Sequence, residues 1–269
     1  VEFDVVKGKG PHFLQPIRSS KDIENLKVLG EEVDIRSKLP FVAETLQTLK
    51  ELTENKTTLI GFVGSPWTLG AYAMEGGSSK HCLFTKGMMM NDPSLFHGYM
   101  SKLAESVGEY ACFQVENGAQ VIQVFESWAH QLTPLDFETF ARPYANMAMS
   151  KLKERHPYVP VIYFANGGSS YLESQTGMKC DMLSLDQFVD IEIARRRLGQ
   201  NIPISGNIDP LVLLGPEEGI KNAVSNCVSK AGNKGHILNL GHGVLQETPE
   251  RAVQILVQTA KNISYDSLE

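Results

Sequence analysis

Short apolar runs rich in β-branched residues recur at residues 58–63 (TLIGFV), 120–125 (QVIQVF), 159–164 (VPVIYF), 182–185 (MLSL), 202–205 (IPIS) and 236–240 (HILNL). These six runs predict six strands. Between them apolar residues return at helical spacing. Leu103, Val107, Tyr110 and Gln114 share one face, and Phe140, Tyr144, Met147 and Leu152 share another. Asp92-Pro93, Thr133-Pro134 and Thr248-Pro249 each set a capping side chain before a proline at the first helical position. Asp136, three residues after Thr133, completes the pattern of a capping box. Strand, turn and helix in repeating order imply parallel strands, because parallel neighbours are joined by long crossovers. The near-continuous apolar runs imply strands covered on both faces.

The fold class predicted is therefore α/β. No G-x-G-x-x-G follows a strand, and glycine-rich turns follow several different strands. That distribution favours a (β/α)8 TIM-type barrel over a doubly wound sheet, because a barrel assembles its site from many strand ends. Such a barrel has eight strands, whereas six are visible, with no βα unit ahead of residues 1–13 and weak periodicity over residues 16–40. The expectation is a single barrel domain over residues 1–269 whose first one or two βα units are missing.

Net charge narrows the partners. At −6, with no basic block longer than Arg195-Arg196-Arg197, the chain is unsuited to nucleic acid or an anionic membrane surface. An anionic small molecule stays open, since one cleft can be locally basic. No apolar run reaches the roughly 20 residues that span a bilayer. Cys82, Cys112, Cys180 and Cys227 lie far apart, which suggests no disulfide framework and fits a reducing compartment. His81 and Cys82 are adjacent and point in different directions, and no H-x-C, C-x-x-C or H-E-x-x-H follows a strand, so no metal site is expected.

Candidate chemistry gathers just past the strands. Residues 61–77 (GFVGSPWTLGAYAMEGG) turn from a strand into a helix carrying Tyr72, and the helix N-terminus is a candidate anion site. The plainer reading makes Trp67 and Tyr72 core aromatics. Residues 125–130 (FESWAH) place Glu126, Ser127, Trp128 and His130 past the second run. Ser127 suits a substrate carboxylate better than a nucleophile's role, because it has no G-x-S-x-G elbow. In YFANGG (163–168) and SGNIDP (205–210), Asn and Gly follow the strand, and Asn207 is the candidate binding group. Asp209 reads as an N-cap before Pro210. His242 stands between Gly241 and Gly243 after the last run, where backbone and ring can approach a ligand. His97 and His156 read as solvated helix or loop positions.

Taken in order, GFVGSPWTLGAYAMEGG, FESWAHQLTP, YFANGG, SGNIDP and ILNLGHG, with KGKGP at residues 7–11, resemble the signature blocks of the uroporphyrinogen decarboxylase family. The wording is closest to its cyanobacterial and plastid type. The resemblance implies a homodimeric barrel, working without metal or organic cofactor in plastid stroma or cytoplasm. Its reaction removes the four acetate carboxyls of uroporphyrinogen III to leave coproporphyrinogen III, on the way to heme and chlorophyll. Tyr72, Ser127 and His242 match the family's substrate-contacting Tyr, Ser and His, with Tyr72 and His242 the catalytic candidates. The family's Asp and Arg residues that face the pyrroles and carboxylates are expected ahead of Val1, so activity is doubtful without them. Asp186-Gln187 departs from the Asp-Trp of many members, which is expected to alter packing near the cleft. Two alternatives compete: a catalytically impaired tetrapyrrole-binding member, and a corrinoid-related methyltransferase of the same superfamily. The methyltransferase needs a zinc-binding His-x-Cys where this chain has residues 163–166 (YFAN).

Overall fold

The computed structural model describes residues 3–6 and 10–263, and packs them as two compact units. The first holds Val1–Ile162 with Met178–Cys180, and the second Tyr163–Gly177 with Asp181–Glu269. Lys7, Gly8 and Lys9 of the KGKGP block lie outside the described residues.

The first unit opens with β1 (Phe3–Val6) antiparallel to β2 (Gly10–Phe13). The weakly periodic stretch after it folds as two short helices, α1 (Ser20–Glu24) and α2 (Ile35–Lys38). Their N-termini are closed locally, by a Ser19–Asp22 capping box and by the Asp34 carboxylate. One distant cation closes the end of α1: Lys102 Nζ donates to the carbonyls of Ile23, Glu24 and Leu26 at 2.9, 3.1 and 3.0 Å. Next come α3 (Pro40–Thr53), β3 (Ile60–Gly64), α4 (Pro66–Glu75), α5 (Leu83–Asn91) and α6 (Pro93–Glu116). Asp92 caps α6 as the sequence predicts, its carboxylate accepting from the Leu95 N–H. β4 (Val121–Glu126) runs parallel to β3 with Ile60 opposite Val121, and alternately buries Ile122, Val124 and Glu126. Thr133 caps α7 (Pro134–Asp136), which passes through a π-helical turn (Phe137–Ala141) into α8 (Arg142–Arg155).

His97 corrects the expectation of a solvated histidine. It is half-buried on α6, its ring stacked on Phe140 at 5.0 Å and its Nδ1 against the Tyr144 hydroxyl. His156 is likewise half-buried, 3.8 Å from Glu116. Gln114 does more than share a helix face. Its Oε1 accepts from the Phe62 N–H at 3.0 Å and its Nε2 donates to the Phe62 carbonyl at 2.9 Å, so one side-chain amide covers both backbone polar groups of Phe62 in β3.

β5 (Val161–Ala165) ends the first unit and begins the second, which continues with α9 (Leu172–Gln175), β6 (Met182–Ser184), α10 (Ile191–Leu198) and β7 (Ile204–Ile208). It closes with α11 (Glu217–Ala231), β8 (His236–Leu240) and α12 (Glu250–Lys261). β6, β7 and β8 are parallel neighbours, with Leu183 opposite Ile204 and Ile204 opposite His236. All six expected strands are present. β7 runs further than its apolar run, because its ladder with β8 continues through Gly206, Asn207 and Ile208 and overrides their poor strand propensity. Thr248 also differs from expectation. α12 starts at Glu250, and the Thr248 hydroxyl instead accepts from the Leu245 N–H at 3.1 Å, closing the turn before the helix.

Beneath these strands Arg195 is 2% exposed and, among the described residues, has no carboxylate partner. Its guanidinium donates to the carbonyls of Ala231, Gln200, Ile202, Lys234 and Gly235, at 3.1, 3.4, 2.8, 2.8 and 2.9 Å. One side chain thus ties the end of α11 to the starts of β7 and β8. Arg195→Met, similar in length and unable to donate, is expected to cost about 3 kcal/mol or more. Urea midpoints check this, and a loss below about 1 kcal/mol would show the carbonyls re-paired with water.

Arg197 grips Glu173 with two bonds of 2.6 Å, and this pairing holds the Glu173 carboxyl down to about 2. A depressed folded-state value means the pair stabilises above the ordinary 4.5 and loses that contribution as pH falls through about 2. Solvent screening keeps it to about 1 kcal/mol or less. The stability gap between the parent and Glu173→Gln is therefore expected to narrow below pH 4.5 and close near 2. A gap that stays constant across that range would remove the pair as its cause.

Candidate active site

In the first unit the site is built where β3 turns into α4 and β4 ends. The Ser65 N–H donates to the Phe125 carbonyl at 2.8 Å, which locks the two strand ends side by side. Pro66 takes the first helical position of α4, where its missing N–H costs nothing. The expected anion site at this N-terminus is already filled from inside. Glu126, fully buried, accepts from the Thr68 N–H at 3.0 Å and from the Thr68 hydroxyl at 2.5 Å. The α4 N-terminus is therefore no open cradle for a substrate carboxylate, which corrects that expectation.

The same network positions the aromatics. The Thr68 hydroxyl accepts from the Trp128 N–H at 3.2 Å, and Trp67 Nε1 donates to the Trp128 carbonyl at 3.2 Å. Trp67 is fully buried, as the plainer reading expects of it. Tyr72 is half-buried and lies against the Trp128 ring, centroids 4.2 Å apart. Ser127, half-buried, directly precedes Trp128 in the chain. His130 is exposed on the 3-10 turn Ala129–Gln131.

In the second unit the centre is Asp186, 2% exposed just past β6. Its carboxylate accepts from the Gly167 N–H at 2.7 Å and the Phe188 N–H at 2.9 Å. Burial pushes its carboxyl up from the ordinary range, while backbone amides and the nearby His242 pull the other way. Asn207, inside β7 rather than after it, donates through Nδ2 to the carbonyls of Asp186 at 2.8 Å and Val189 at 2.7 Å. Both its N–H bonds hold the loop that follows β6, leaving Oδ1 as the group it can offer. Asp209 caps the short turn Pro210–Leu214, as read from sequence, accepting from the Leu211 N–H at 2.9 Å.

His242 is exposed two residues past β8, its ring edge-on to Phe164 at 6.2 Å. Nδ1 accepts from the Gly243 N–H at 2.8 Å, which leaves Nε2 as the outward nitrogen. Gly241 lies directly on the turn of residues 186–187. A Cβ there would stand 2.9 Å from the Asp186 carbonyl carbon, 2.8 Å from Gln187 Oε1 and closer still to the Gln187 nitrogen. Among the described residues no group of three or more His, Cys, Asp or Glu side chains could hold a metal ion, and no helix is long and apolar enough to cross a membrane.

The sequence matches the uroporphyrinogen decarboxylase (URO-D) family over residues 1–263. The chain belongs to the uroporphyrinogen decarboxylase family. A relative named uroporphyrinogen decarboxylase from Trichodesmium erythraeum is 47% identical over 264 residues, 98% of this chain and 73% of its own. A relative of the same name from Crocosphaera subtropica is 44% identical, again over 98% of this chain and 73% of its own. Among solved structures, a methyltransferase from Methanosarcina mazei superposes with a TM-score of 0.80 at 20% identity, covering 97% of this chain and 74% of that one. A putative vitamin-B12-independent methionine synthase from Listeria monocytogenes gives 0.58 at 16%, over 84% and 70%. At these identities the structures speak to fold alone, and they place the chain in the α/β barrel class its parallel strands predict.

Sequence reasoning passed over the structural roles of Glu126 and Asp186. Each is an acid just at or past the end of an apolar run, and that placement is the only signal the pattern carries. The Gly241 contact yields a test. Gly241→Ala is expected to push residues 241–243 off the turn of residues 186–187, at a cost of about 1–3 kcal/mol, and to shift the His242 ring resonances. Wild-type stability together with unmoved ring resonances would show that the close approach sets nothing at His242.

Proposed function

We propose that this protein decarboxylates the four acetate side chains of uroporphyrinogen III to give coproporphyrinogen III, using neither metal nor organic cofactor. The observation that carries the reading is the 47% identity to a named uroporphyrinogen decarboxylase over 98% of the chain. The chemistry makes two demands. Carbon dioxide leaving a pyrrole acetate leaves an electron pair behind, which a protonated ring accepts, so the developing charge needs stabilising partners. The remaining carboxylates need donors.

Tyr72 and His242 each serve this reaction as catalytic groups, Tyr72 orienting an acetate and His242 presenting Nε2 to a carboxylate. Ser127 donates its hydroxyl to another carboxylate. Asn207 has an acceptor to offer, so its partner is a pyrrole N–H rather than an acid. Residues 1–269 act as one barrel domain, as a homodimer in plastid stroma or cytoplasm, within heme and chlorophyll synthesis, with no nucleic-acid or membrane partner. The sequence identity favours this over a tetrapyrrole-binding protein without activity or a methyltransferase.

Coproporphyrinogen formation from uroporphyrinogen under anaerobic conditions, with chelator present, is the test. Turnover unaffected by chelator is expected, and chelator-sensitive turnover would overturn the cofactor-free reading. His242→Asn is expected to lower kcat/KM by about 10- to 150-fold, because one carboxylate contact is worth about 1.5–3 kcal/mol and several contacts share the grip. A loss beyond about four orders of magnitude would make His242 an obligatory proton donor instead.

A further inference from the structure

We infer that Glu126 is a positioning residue for the site: its buried carboxylate fastens the start of α4 to the turn after β4 and so fixes Tyr72 against Trp128. The part given to Tyr72 rests on the function proposed above; the positioning does not. Ser65 stands at the N-cap of α4, one of the residue types that normally closes a helix start with its own hydroxyl. Here that hydroxyl is buried and makes no hydrogen bond. The Thr68 N–H it would take is held by Glu126, from 58 residues away.

A short-range neutral cap is thus present but unused, while a carboxylate is kept fully buried, which is expensive unless its bonds are good. Such a conflict between local and global choices is a mark of a functional site. What the long-range cap does and the serine cannot is join two elements. Glu126 meets Thr68, the Thr68 hydroxyl meets the Trp128 N–H, and the Trp128 ring lies 4.2 Å from Tyr72. Ser127 sits between Glu126 and Trp128 in the chain, so the same fastening sets its place relative to Tyr72. The carboxyl also lies at the positive end of α4, where its ionised form is favoured.

The protein's two tryptophans, Trp67 and Trp128, both belong to this network, so tryptophan signals report on it without labelling. Glu126→Gln keeps the shape and removes the charge. It is expected to leave the far-ultraviolet dichroism intact, to change folded-state tryptophan emission and near-ultraviolet dichroism, and to lower kcat about tenfold with KM within about threefold. Ser65→Ala is expected to change none of these. The inference is overturned if Glu126→Gln loses thermal stability but keeps wild-type tryptophan spectra and kcat, or if Ser65→Ala reproduces its effects. Should Glu126→Gln not fold, Thr68→Val carries the same test, since it removes only the hydroxyl that links Glu126 to Trp128. Wild-type protein that releases no carbon dioxide from uroporphyrinogen would reject the proposed reaction, and the tryptophan spectra alone would then decide the positioning role.

Discussion

Every backbone N–H and C=O buried outside a helix or a strand ladder has to find a partner, and in this chain the partner is repeatedly one side chain from a distant segment. Arg195 serves five carbonyls around the starts of β7 and β8. Lys102 serves three at the end of α1, and Gln114 covers both backbone polar groups of Phe62. Parallel strands make this necessary, since each enters and leaves through an irregular segment under a helix. Leaving one such group unpaired costs about 1–3 kcal/mol, a large share of a domain's net stability. These few polar side chains therefore decide whether the apolar faces can be buried at all.

The same constraint divides the acids of the site from the groups left for chemistry. Glu126 and Asp186 are both buried at strand ends, where a general acid would attract attention, yet Glu126 accepts from the Thr68 N–H and hydroxyl, and Asp186 from two backbone amides. Raised as it is by burial, Asp186 still accepts two N–H bonds and faces His242, an arrangement that suits the charged carboxylate. Tyr72 and Ser127 are half-buried and His242 is exposed, while Asn207 keeps only Oδ1 uncommitted among its printed bonds. Glu126 also turns a helix N-terminus that looks open to anions into a closed internal joint.

What was legible in the sequence follows from which interactions are local. β8 matches its apolar run to the residue, and the Asp92 and Thr133 caps stand where the Pro signals put them, because each rests on neighbours within four positions. β7 was cut short because Gly206 and Asn207 are poor strand formers, and only the ladder with β8 keeps them extended. α1 and α2 are too short to show a period and are held by Ile23, Ile35 and their caps. His97 looked solvated because its partners Phe140 and Tyr144 lie more than forty residues on. Tyr72, Ser127, Asn207 and His242 stand out in the sequence through motif resemblance, but nothing in the pattern shows that Asn207 lies inside β7 or what holds the others.

The fold by itself does not choose the reaction. A methyltransferase at 20% identity shares it with a TM-score of 0.80, whereas relatives at 43–47% identity carry the decarboxylase name. Such a scaffold survives wide divergence because strand ends can be refitted while the apolar faces keep packing. The decisive positions are accordingly those just past the strands. Residues 163–166 (YFAN) stand where a zinc-binding methyltransferase would need a His-x-Cys, and the Gly167 N–H that follows them donates to the buried Asp186. Backbone satisfaction and the choice of chemistry thus meet at the end of β5.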